Sequence, residues 1–381
     1  MLFVIFLSSC SKSNNDFSES IEGRKYLIDS LVVPMDSKSS YDFNYFDIGR
    51  MDGNEKLVIL NQVNYSIDSY NLKNGSLENR FEVPQEGPFP VLNTQGLLIH
   101  NQDSIFVFTS YLLSRFGLFD RNGAVISLHR PIIESENPQD KLHNHSSTPT
   151  IPTFYLNGRL YFSLLTMEDP LSNPKFSERH IAEFIYFLEK DSVIKVNHLK
   201  MPSDYLGRTM PLSFSFHSKA LNDSKEFVIS WFASDSIYVY DLNFNLKSAI
   251  LGKSVLSKGF EKTTHPLSEE ESNRLTISQT HYPRLIYDSY RHLYYRFAHI
   301  ARAYDPNELI DHKSTQKNPF SVIVLDEDFN KLEEVVYPGS TYNIFKAFVA
   351  EKGLYLPKTN IFYINLNEDE VTYEIFDFSS L

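Results

Sequence analysis

A group of cationic and aromatic side chains in the last third of the chain has the types and spacing to hold an anionic ligand. Its members are His281, Arg284, Arg296, His299, Arg302 and Tyr304. Arginine forks bind carboxylates and sulfates through paired hydrogen bonds, so this group could hold a carboxylate, a sulfate or an acidic sugar. The alternative is structural, with the arginines bracing Asp288, Asp305 and neighbouring elements. The catalytic form of the hypothesis is a hydrolase or lyase that uses a His/Arg pair.

Other candidate chemistry is weaker in the sequence. His143-Asn144-His145 would place two imidazoles on one side of an extended segment, but the lack of a carboxylate cluster beside them favours a solvated loop over a metal site. We find no Gly-rich phosphate loop, Gly-x-Ser-x-Gly elbow or His-Glu-x-x-His motif. Calcium held in a central channel by residues from distant repeats leaves no local motif, so the sequence identifies no cofactor and leaves calcium open.

The elements that must position these side chains are β-strands, because alternating, β-branched and aromatic runs dominate and helical periodicity is scarce. A strand that ends in Asp or Asn, a short polar turn and a second strand recur along the chain. The ends of the first strands, including one weaker copy, are Asn71, Asp120, Leu188, Asp241, Asp326 and Asn365. Asn-Gly and Asp/Asn clusters in the turns supply the positive φ of tight hairpins. Further strands are predicted upstream, at 56–60, 104–108, 159–165, 226–232, 292–297 and 353–356.

Six copies at a mean spacing of about 59 residues predict an all-β fold, a six-bladed β-propeller of four-stranded antiparallel blades with insertions. The segment 26–33 precedes Pro34 and looks like an unpaired outer strand. We expect it to join the blade made by the other terminus, whose third strand is predicted at 361–365, and so to close the ring. A β-helix or a β-sandwich is the structural alternative.

Four long segments interrupt the strands, at 131–152, 166–180, 252–282 and 301–319. Because successive strands are antiparallel, blade links and second-to-third loops share one face of a propeller, so all four should lie on that face. Insertions on one face of a repeat fold usually mark the binding face, and tolerated surface decoration is the alternative. Ser268 and Glu271 match a capping box, which predicts a short helix to about Thr280 over the propeller mouth.

Composition limits the classes of function. The 381 residues are 42% hydrophobic and 14% aromatic, carry a formal net charge of −12 and include one cysteine. The hydrophobic content is too high for a disordered protein, and the acidic balance argues against nucleic acid as a partner. One cysteine excludes an internal disulfide framework. We expect a monomer.

The single cysteine predicts a location. Cys10 follows an apolar run, Leu2 to Leu7, that is too short to span a bilayer, and Leu7-Ser8-Ser9-Cys10 resembles a bacterial lipobox. We therefore expect residues 1–10 to be a lipoprotein signal, 11–24 a flexible tether and 25–381 one propeller domain. No Lys or Arg precedes Cys10, which departs from the usual signal. The alternative is a buried N-terminal strand with an incidental cysteine.

A lipobox followed by six such repeats resembles an uncharacterised bacterial lipoprotein family with a TolB-like six-bladed β-propeller. Three short motifs also resemble that family: Glu86-Gly87-Pro88, Asp103-Ser104-Ile105 and Tyr294-Tyr295-Arg296. The resemblance implies the fold and a lipid-anchored position in the bacterial cell envelope, on the outer membrane and facing the periplasm or the surface. It implies no activity. We expect a binding or scaffold module for a peptide, protein or glycan, with the propeller hydrolase or lyase, calcium-dependent or not, as the alternative.

Overall fold

The computed structural model describes residues 21–87, 89–109, 115–131, 145–164, 168–311 and 313–381, which form six antiparallel sheets arranged as the blades of a propeller. The first strands of the six blades line one central channel. From the channel outward, the strands are Phe46–Met51, Asn54–Asn61, Ser66–Asn71 and Leu77–Glu82 in blade 1; Thr94–Asn101, Ser104–Thr109, Phe116–Asp120 and Val125–His129 in blade 2; Phe154–Leu156, Arg159–Leu164, Glu183–Phe187 and Ser192–Lys195 in blade 3; His217–Leu221, Phe227–Trp231, Ser236–Tyr240 and Leu246–Leu251 in blade 4; His281–Asp288, Leu293–His299, Phe320–Leu325 and Lys331–Tyr337 in blade 5; and Phe348–Ala350, Gly353–Pro357, Glu370–Phe376 and Leu27–Pro34 in blade 6. A short strand, His145–Ser146, also pairs with the second strand of blade 3. The predicted fold is confirmed.

The N-terminal strand closes the ring as predicted. Leu27–Pro34 pairs antiparallel with Glu370–Phe376, with Leu31 opposite Tyr373, and becomes the outermost strand of blade 6. Both strands alternate buried and exposed side chains, which is the pattern of a sheet with one covered face. The two ends of the described chain are therefore held together by a ladder of backbone hydrogen bonds.

The third strand predicted for blade 6 is wrong. Residues 361–365 form turns, and Glu370–Phe376 takes the third position. The cause is local: the buried side chain of Asn360 accepts a hydrogen bond from the amide of Phe362 at 3.0 Å, and the Asn360 carbonyl accepts one from the amide of Tyr363 at 2.9 Å. Side-chain capping of this kind competes with strand pairing.

The polar turns work as expected, with one difference. In the hairpin after the third strand of blade 4, Asp241 accepts backbone hydrogen bonds from Asn243 and Asn245, both at 2.8 Å. The positive φ in this turn, 60°, falls on Phe244 rather than on an asparagine. The ring of Phe244 stacks on Phe227 with centroids 4.8 Å apart. Burial of the aromatic ring therefore offsets the backbone cost of that conformation.

The long segments lie on one face, as predicted from the strand order, and we call it the loop-rich face. It carries the blade links 130–153 and 252–280 and the second-to-third loops 165–182 and 300–319, of which 132–144, 165–167 and 312 lie outside the described residues. A fifth long link on this face, 196–216, was not predicted. The loop-rich face is therefore the face on which a binding site is expected.

Helices occur only as short insertions among the described residues. The α-helices are Ile21–Arg24, Phe176–Arg179 and Glu269–Ser278, and the 3-10 helices are Ser203–Tyr205, Leu212–Ser215, Ser314–Lys317 and Ile344–Lys346. The predicted capping box is present, because Ser268 accepts from the Glu271 amide while the Glu271 side chain bonds back to Ser268. No helix in the described part of the chain has the length and apolar character needed to cross a bilayer.

Candidate functional site

A cavity of about 640 Å³ opens at the centre of the loop-rich face, and we call it the mouth cavity. Three aromatic rings line it, from Phe216, Phe232 and Phe345. Hydroxyl groups border it on several sides, from Thr148, Thr150, Ser213, Ser272, Thr276 and Thr315. Among the described residues that line it, Asp311 carries the only formal charge at neutral pH, because His281 is neutral there. Such a lining suits an uncharged ligand with apolar surface and hydroxyl or amide groups.

Helix Glu269–Ser278 forms one wall of the mouth cavity, as the sequence predicts for the segment over the propeller mouth. Ser272, Asn273 and Thr276 of this helix face the cavity. The Asn318 amide, in the second-to-third loop of blade 5, donates to the carbonyl of Ile277 at 2.9 Å and to that of Ile300 at 3.0 Å. This buried amide therefore joins the helix to blade 5.

The turn 148–151 separates the mouth cavity from the central channel, whose cavity measures about 340 Å³. Thr148 lines both cavities. The Thr150 carbonyl accepts a hydrogen bond from the Ser218 hydroxyl of blade 4 at 2.7 Å, and Ser147 bridges to Gly96 of blade 2. A Cβ on Gly96 would stand 2.6 Å from the Cβ of Ser147, so the close approach requires glycine. This turn plugs the channel.

His281 and His299 meet at the floor of the mouth cavity, and both side chains are buried. The Nδ1 atom of His281 lies 3.2 Å from the Gln279 carbonyl, and its Nε2 atom lies 3.2 Å from Nδ1 of His299. Because a carbonyl can only accept, His281 donates from Nδ1, and His299 donates to Nε2 of His281. Burial lowers the pKa of His281 to about 4 and that of His299 well below its usual range, so both rings are neutral at pH 7.

The pairing register shifts by one residue between His281 and Arg284, because His281 lies opposite His299 and Arg284 lies opposite Phe297. It lines the central channel and not the mouth cavity. Its guanidinium donates to the Phe345 carbonyl at 2.5 Å and to the Ala347 carbonyl, both in the link to blade 6. Burial lowers the pKa of Arg284 to about 9, which leaves it charged at neutral pH.

Arg296 is fully buried between blades 4 and 5. Its five N–H groups donate to the Ser230 hydroxyl and to backbone carbonyls of blade 4, those of Ser234, Asp235, Ser236 and Gly252. The guanidinium also stacks on the Tyr282 ring at 3.7 Å. All five donors are thus used inside the protein, so the bracing role weighed in the sequence applies here, through the carbonyls of blade 4.

Arg302 and Tyr304 lie in the second-to-third loop of blade 5. The Arg302 guanidinium forms a fork on Glu308, with N–O distances of 2.8 and 3.0 Å, and holds the pKa of that carboxyl below its usual range. Tyr304 is half-buried in the same loop. The structure therefore brings His281 and His299 together, and it places the other four predicted ligand-binding residues apart from them.

A buried ionic network between blades 3 and 4 was missed in the sequence. Glu183 accepts hydrogen bonds from Lys219 at 2.5 Å, His217 at 2.8 Å and Ser163 at 2.6 Å. Burial alone would raise the pKa of Glu183, but the charge of Lys219 and the hydrogen bond from His217 outweigh it and hold the pKa below its usual range. One signal for this network was available in the sequence. His217 and Lys219 lie two positions apart on a strand, so their side chains point to the same face of the sheet.

The histidine pair that the sequence analysis weighed against a metal site lies partly outside the described residues. His143 and Asn144 lie outside them, and the Nε2 atom of His145 donates to the Thr109 carbonyl at 2.7 Å. Within the described part of the chain, no group of three or more His, Cys, Asp or Glu side chains is placed to hold a metal ion. Asp47 lines the channel, where it accepts from the amides of Ile48 and Ile99, and burial raises its pKa to about 6.

Comparison with known proteins gives a family and a fold. Residues 15–335 match the family model described as a domain of unknown function, DUF4221. The chain is similar to the crystal structure of a DUF4221 member from Bacteroides vulgatus, with a TM-score of 0.81 and 20% identity over 92% of this chain and 97% of that one. A protein from Bacteroides fragilis is similar at a TM-score of 0.55 and 10% identity, over 94% of this chain and 97% of that one. No curated protein matches.

Proposed function

Because the chain belongs to the DUF4221 family and forms a six-bladed β-propeller, we propose that it is a lipid-anchored binding module of the bacterial cell envelope. Its ligand would be an uncharged segment of a peptide, protein or glycan that enters the mouth cavity. The observation that carries this proposal is the cavity of about 640 Å³, which falls in the size range of ligand pockets. A TolB-like ancestry stays a prediction.

The chemistry of the lining supports an uncharged ligand over the anionic one that the cationic group of the sequence analysis could hold. Arg296 has no donor left, and Arg302 is paired with Glu308. Arg284 faces the channel below the plug. The three phenylalanine rings offer apolar faces for an aliphatic side chain or for the C–H face of a sugar, and the surrounding hydroxyls can bond to amide or hydroxyl groups.

A cavity-filling substitution tests the ligand site. Thr276→Trp places an indole in the mouth cavity from the helix that walls it, and we expect loss of binding in glycan-array and peptide-library screens. Glu270→Trp adds the same ring on the exposed side of that helix and is the matched control. Equal binding by both variants, with unchanged circular dichroism, would contradict a ligand in the mouth cavity.

The anchor is tested at Cys10, which lies outside the described residues. Cys10→Ala removes the thiol to which the lipid would be attached, and we expect the protein to move from the membrane fraction to the soluble fraction. Mass spectrometry of the N-terminal peptide reads the modification directly. Unchanged fractionation of the variant would defeat the lipoprotein proposal.

The hydrolase or lyase is the second candidate carried from the sequence. The feature that bears on it is His281, which lines the mouth cavity as a neutral imidazole. Both of its ring nitrogens are engaged, by Gln279 and His299, so a general base there would first have to release one partner. We therefore rank binding above catalysis.

A further inference from the structure

Three apolar side chains project from the loop-rich face into solvent. Leu309 is 95% exposed, Ile364 is 93% exposed and Val255 is 77% exposed, the highest values for large apolar residues in the described part of the chain. Leu309 lies in the second-to-third loop of blade 5, Ile364 lies in that of blade 6, and Val255 lies in the link between blades 4 and 5. Three segments of blades 4 to 6 thus each present an apolar tip.

The two faces of the propeller differ in apolar exposure. Further exposed large apolar side chains on the loop-rich face are Val63, Tyr65, Phe89, Leu92, Leu206, Leu212 and Leu256. On the opposite face, within the described residues, the comparable loop side chains are Tyr290 and the C-terminal Leu381. The outermost strands carry the other exposed large apolar side chains, which are Ile28, Val32, Leu77, Ile126, Ile194, Leu246, Leu251 and Leu332. Concentration of exposed apolar groups on one face marks an interaction surface.

The N-terminal segment enters the fold beside the same blades. Gly23 and Arg24 line a small cavity together with Pro338 and Thr341 of the link between blades 5 and 6, and with Lys358 of the blade 6 loop. Residues 11–20 separate Cys10 from the first described residue, and ten residues span at most about 36 Å. An anchor at Cys10 would therefore keep this side of the loop-rich face within reach of the membrane.

We propose that the loop-rich face docks on a lipid bilayer through blades 4 to 6, with Val255, Leu309 and Ile364 inserted at the boundary between headgroups and acyl chains. This proposal rests on the anchor of the proposed function. The net charge of −12 gives no attraction to anionic lipids, so insertion is driven by apolar burial and depends little on salt. Ile310 lines the mouth cavity next to Leu309, so a ligand would meet the mouth cavity at the bilayer surface.

Depth-dependent quenching on vesicles tests the docked orientation. Leu309→Cys and Ile364→Cys carry an environment-sensitive fluorophore in the acylated full-length protein, whose one native cysteine is the acylated one. Asp328→Cys, on the opposite face of blade 5, is the matched probe. On phosphatidylcholine vesicles with nitroxide-labelled lipid, we expect quenching at 309 and 364 and none at 328. Equal quenching at all three sites would overturn the proposal.

Paired substitutions measure what the apolar tips contribute. With the fluorophore on Val255→Cys, adding Leu309→Asp and Ile364→Asp should shift the ratio of docked to undocked protein by about a hundredfold or more, since the burial of two large apolar side chains is lost. The matched pair, Ile126→Asp and Leu246→Asp, removes apolar side chains that are 54% and 57% exposed on the outer strands of blades 2 and 4, away from the apolar tips. An unchanged ratio with the first pair, or an equal shift with both, would refute insertion.

Failure of the anchor and failure of docking are read separately. If mass spectrometry finds Cys10 unmodified, the anchor proposal fails, and the same probes are used in the Cys10→Ser protein. Quenching at 309 without quenching at 328 then still supports docking, and quenching at neither site overturns it. If the probe at 309 is already buried without vesicles, and sedimentation shows a dimer, a second copy of the chain covers this surface. That result would also overturn docking on lipid.

Discussion

Neighbouring blades pack against each other along an interface that we call a seam. The seam between blades 3 and 4 buries a cation, and so does the seam between blades 4 and 5, but the two cations are neutralised in different ways. Lys219 meets the carboxylate of Glu183 at 2.5 Å, with both side chains fully buried. Arg296 meets no carboxylate directly, and its charge is taken up by four backbone carbonyls and the Tyr282 ring. The carboxylate of Asp235 is linked to Arg296 through Tyr282, whose hydroxyl donates to that carboxylate at 2.6 Å.

The difference indicates what each cation does. The Lys219 pair sits inside the ring, where phenylalanine rings of both blades surround the ammonium group. The carbonyls that Arg296 holds belong to the second-to-third loop of blade 4 and to the start of the next blade link. Phe232 of that loop lines the mouth cavity. The first seam therefore supports the ring, and the second also shapes the candidate site.

The largest expected effect on stability comes from the seam in which the buried cation is paired with a carboxylate. Lys219→Met leaves Glu183 buried without its cation, and we expect a loss of about 3–5 kcal/mol in the free energy of unfolding. Lys219→Met combined with Glu183→Leu removes both charges and should recover most of that loss. Guanidinium denaturation followed by circular dichroism measures both. A single variant within about 1 kcal/mol of wild type, or a double variant no more stable than the single, would contradict the pairing.

A smaller effect is expected at the other seam. Arg296→Met leaves buried carbonyls without donors, which should cost about 2–3 kcal/mol in unfolding free energy. Because Ser234 and Asp235 share a loop with Phe232, which lines the mouth cavity, ligand binding should weaken more in Arg296→Met than in Lys219→Met when both are compared at the same fraction of folded protein. Arg274→Met, which removes an exposed ion pair with Glu261, is the control and should stay within about 0.5 kcal/mol of wild type. Equal costs for the two arginines would show that Arg296 does not hold the seam.

The sequence predicted the blades because their signals are local. Strand alternation and the Asp/Asn turns act within about ten residues, and most of the predicted strands and the closing outer strand at 26–33 are present. The failure at 361–365 is also local, since Asn360 supplies a competing turn. Local sequence patterns were thus sufficient to predict the blades, except at 361–365, where a polar side chain forms a turn in a segment with the pattern of a strand.

The candidate site was less predictable because seams join residues far apart in the chain. Arg296 is separated from the carbonyls that it binds by 44 to 62 positions, and Lys219 from Glu183 by 36. The predicted group around Arg284 looked compact in sequence, but the register shift after His281 turns Arg284 into the channel. Which residues face a shared cavity depends on these long-range contacts, and no spacing pattern encodes them.

The smallest expected effect is the loss of unfolding free energy at acid pH. It comes from buried histidines, because the charged groups of the seams do not titrate in that range. His281 has a pKa of about 4 in the folded protein, against about 6.5 when unfolded. The unfolded chain therefore binds the proton first, so stability from His281 is complete above pH 6.5 and falls as the pH drops towards 4. At pH 5 its loss is about 2 kcal/mol. Glu183, whose folded pKa is lowered, keeps its charge over that range, and Arg296, with a pKa of about 10, also stays charged.

His281→Gln should therefore reduce the drop in unfolding free energy between pH 8 and pH 5 by about 2 kcal/mol, whatever its effect at pH 8. His265→Gln, at a side chain that is 59% exposed, is the control and should leave the drop unchanged. His180, also buried and with a pKa lowered to about 3, contributes a separate part of the acid loss, so the His281→Gln curve should retain a slope. Identical pH curves for His281→Gln and wild type would mean that the acid sensitivity lies elsewhere, and the seam ions would have to be reconsidered as its source.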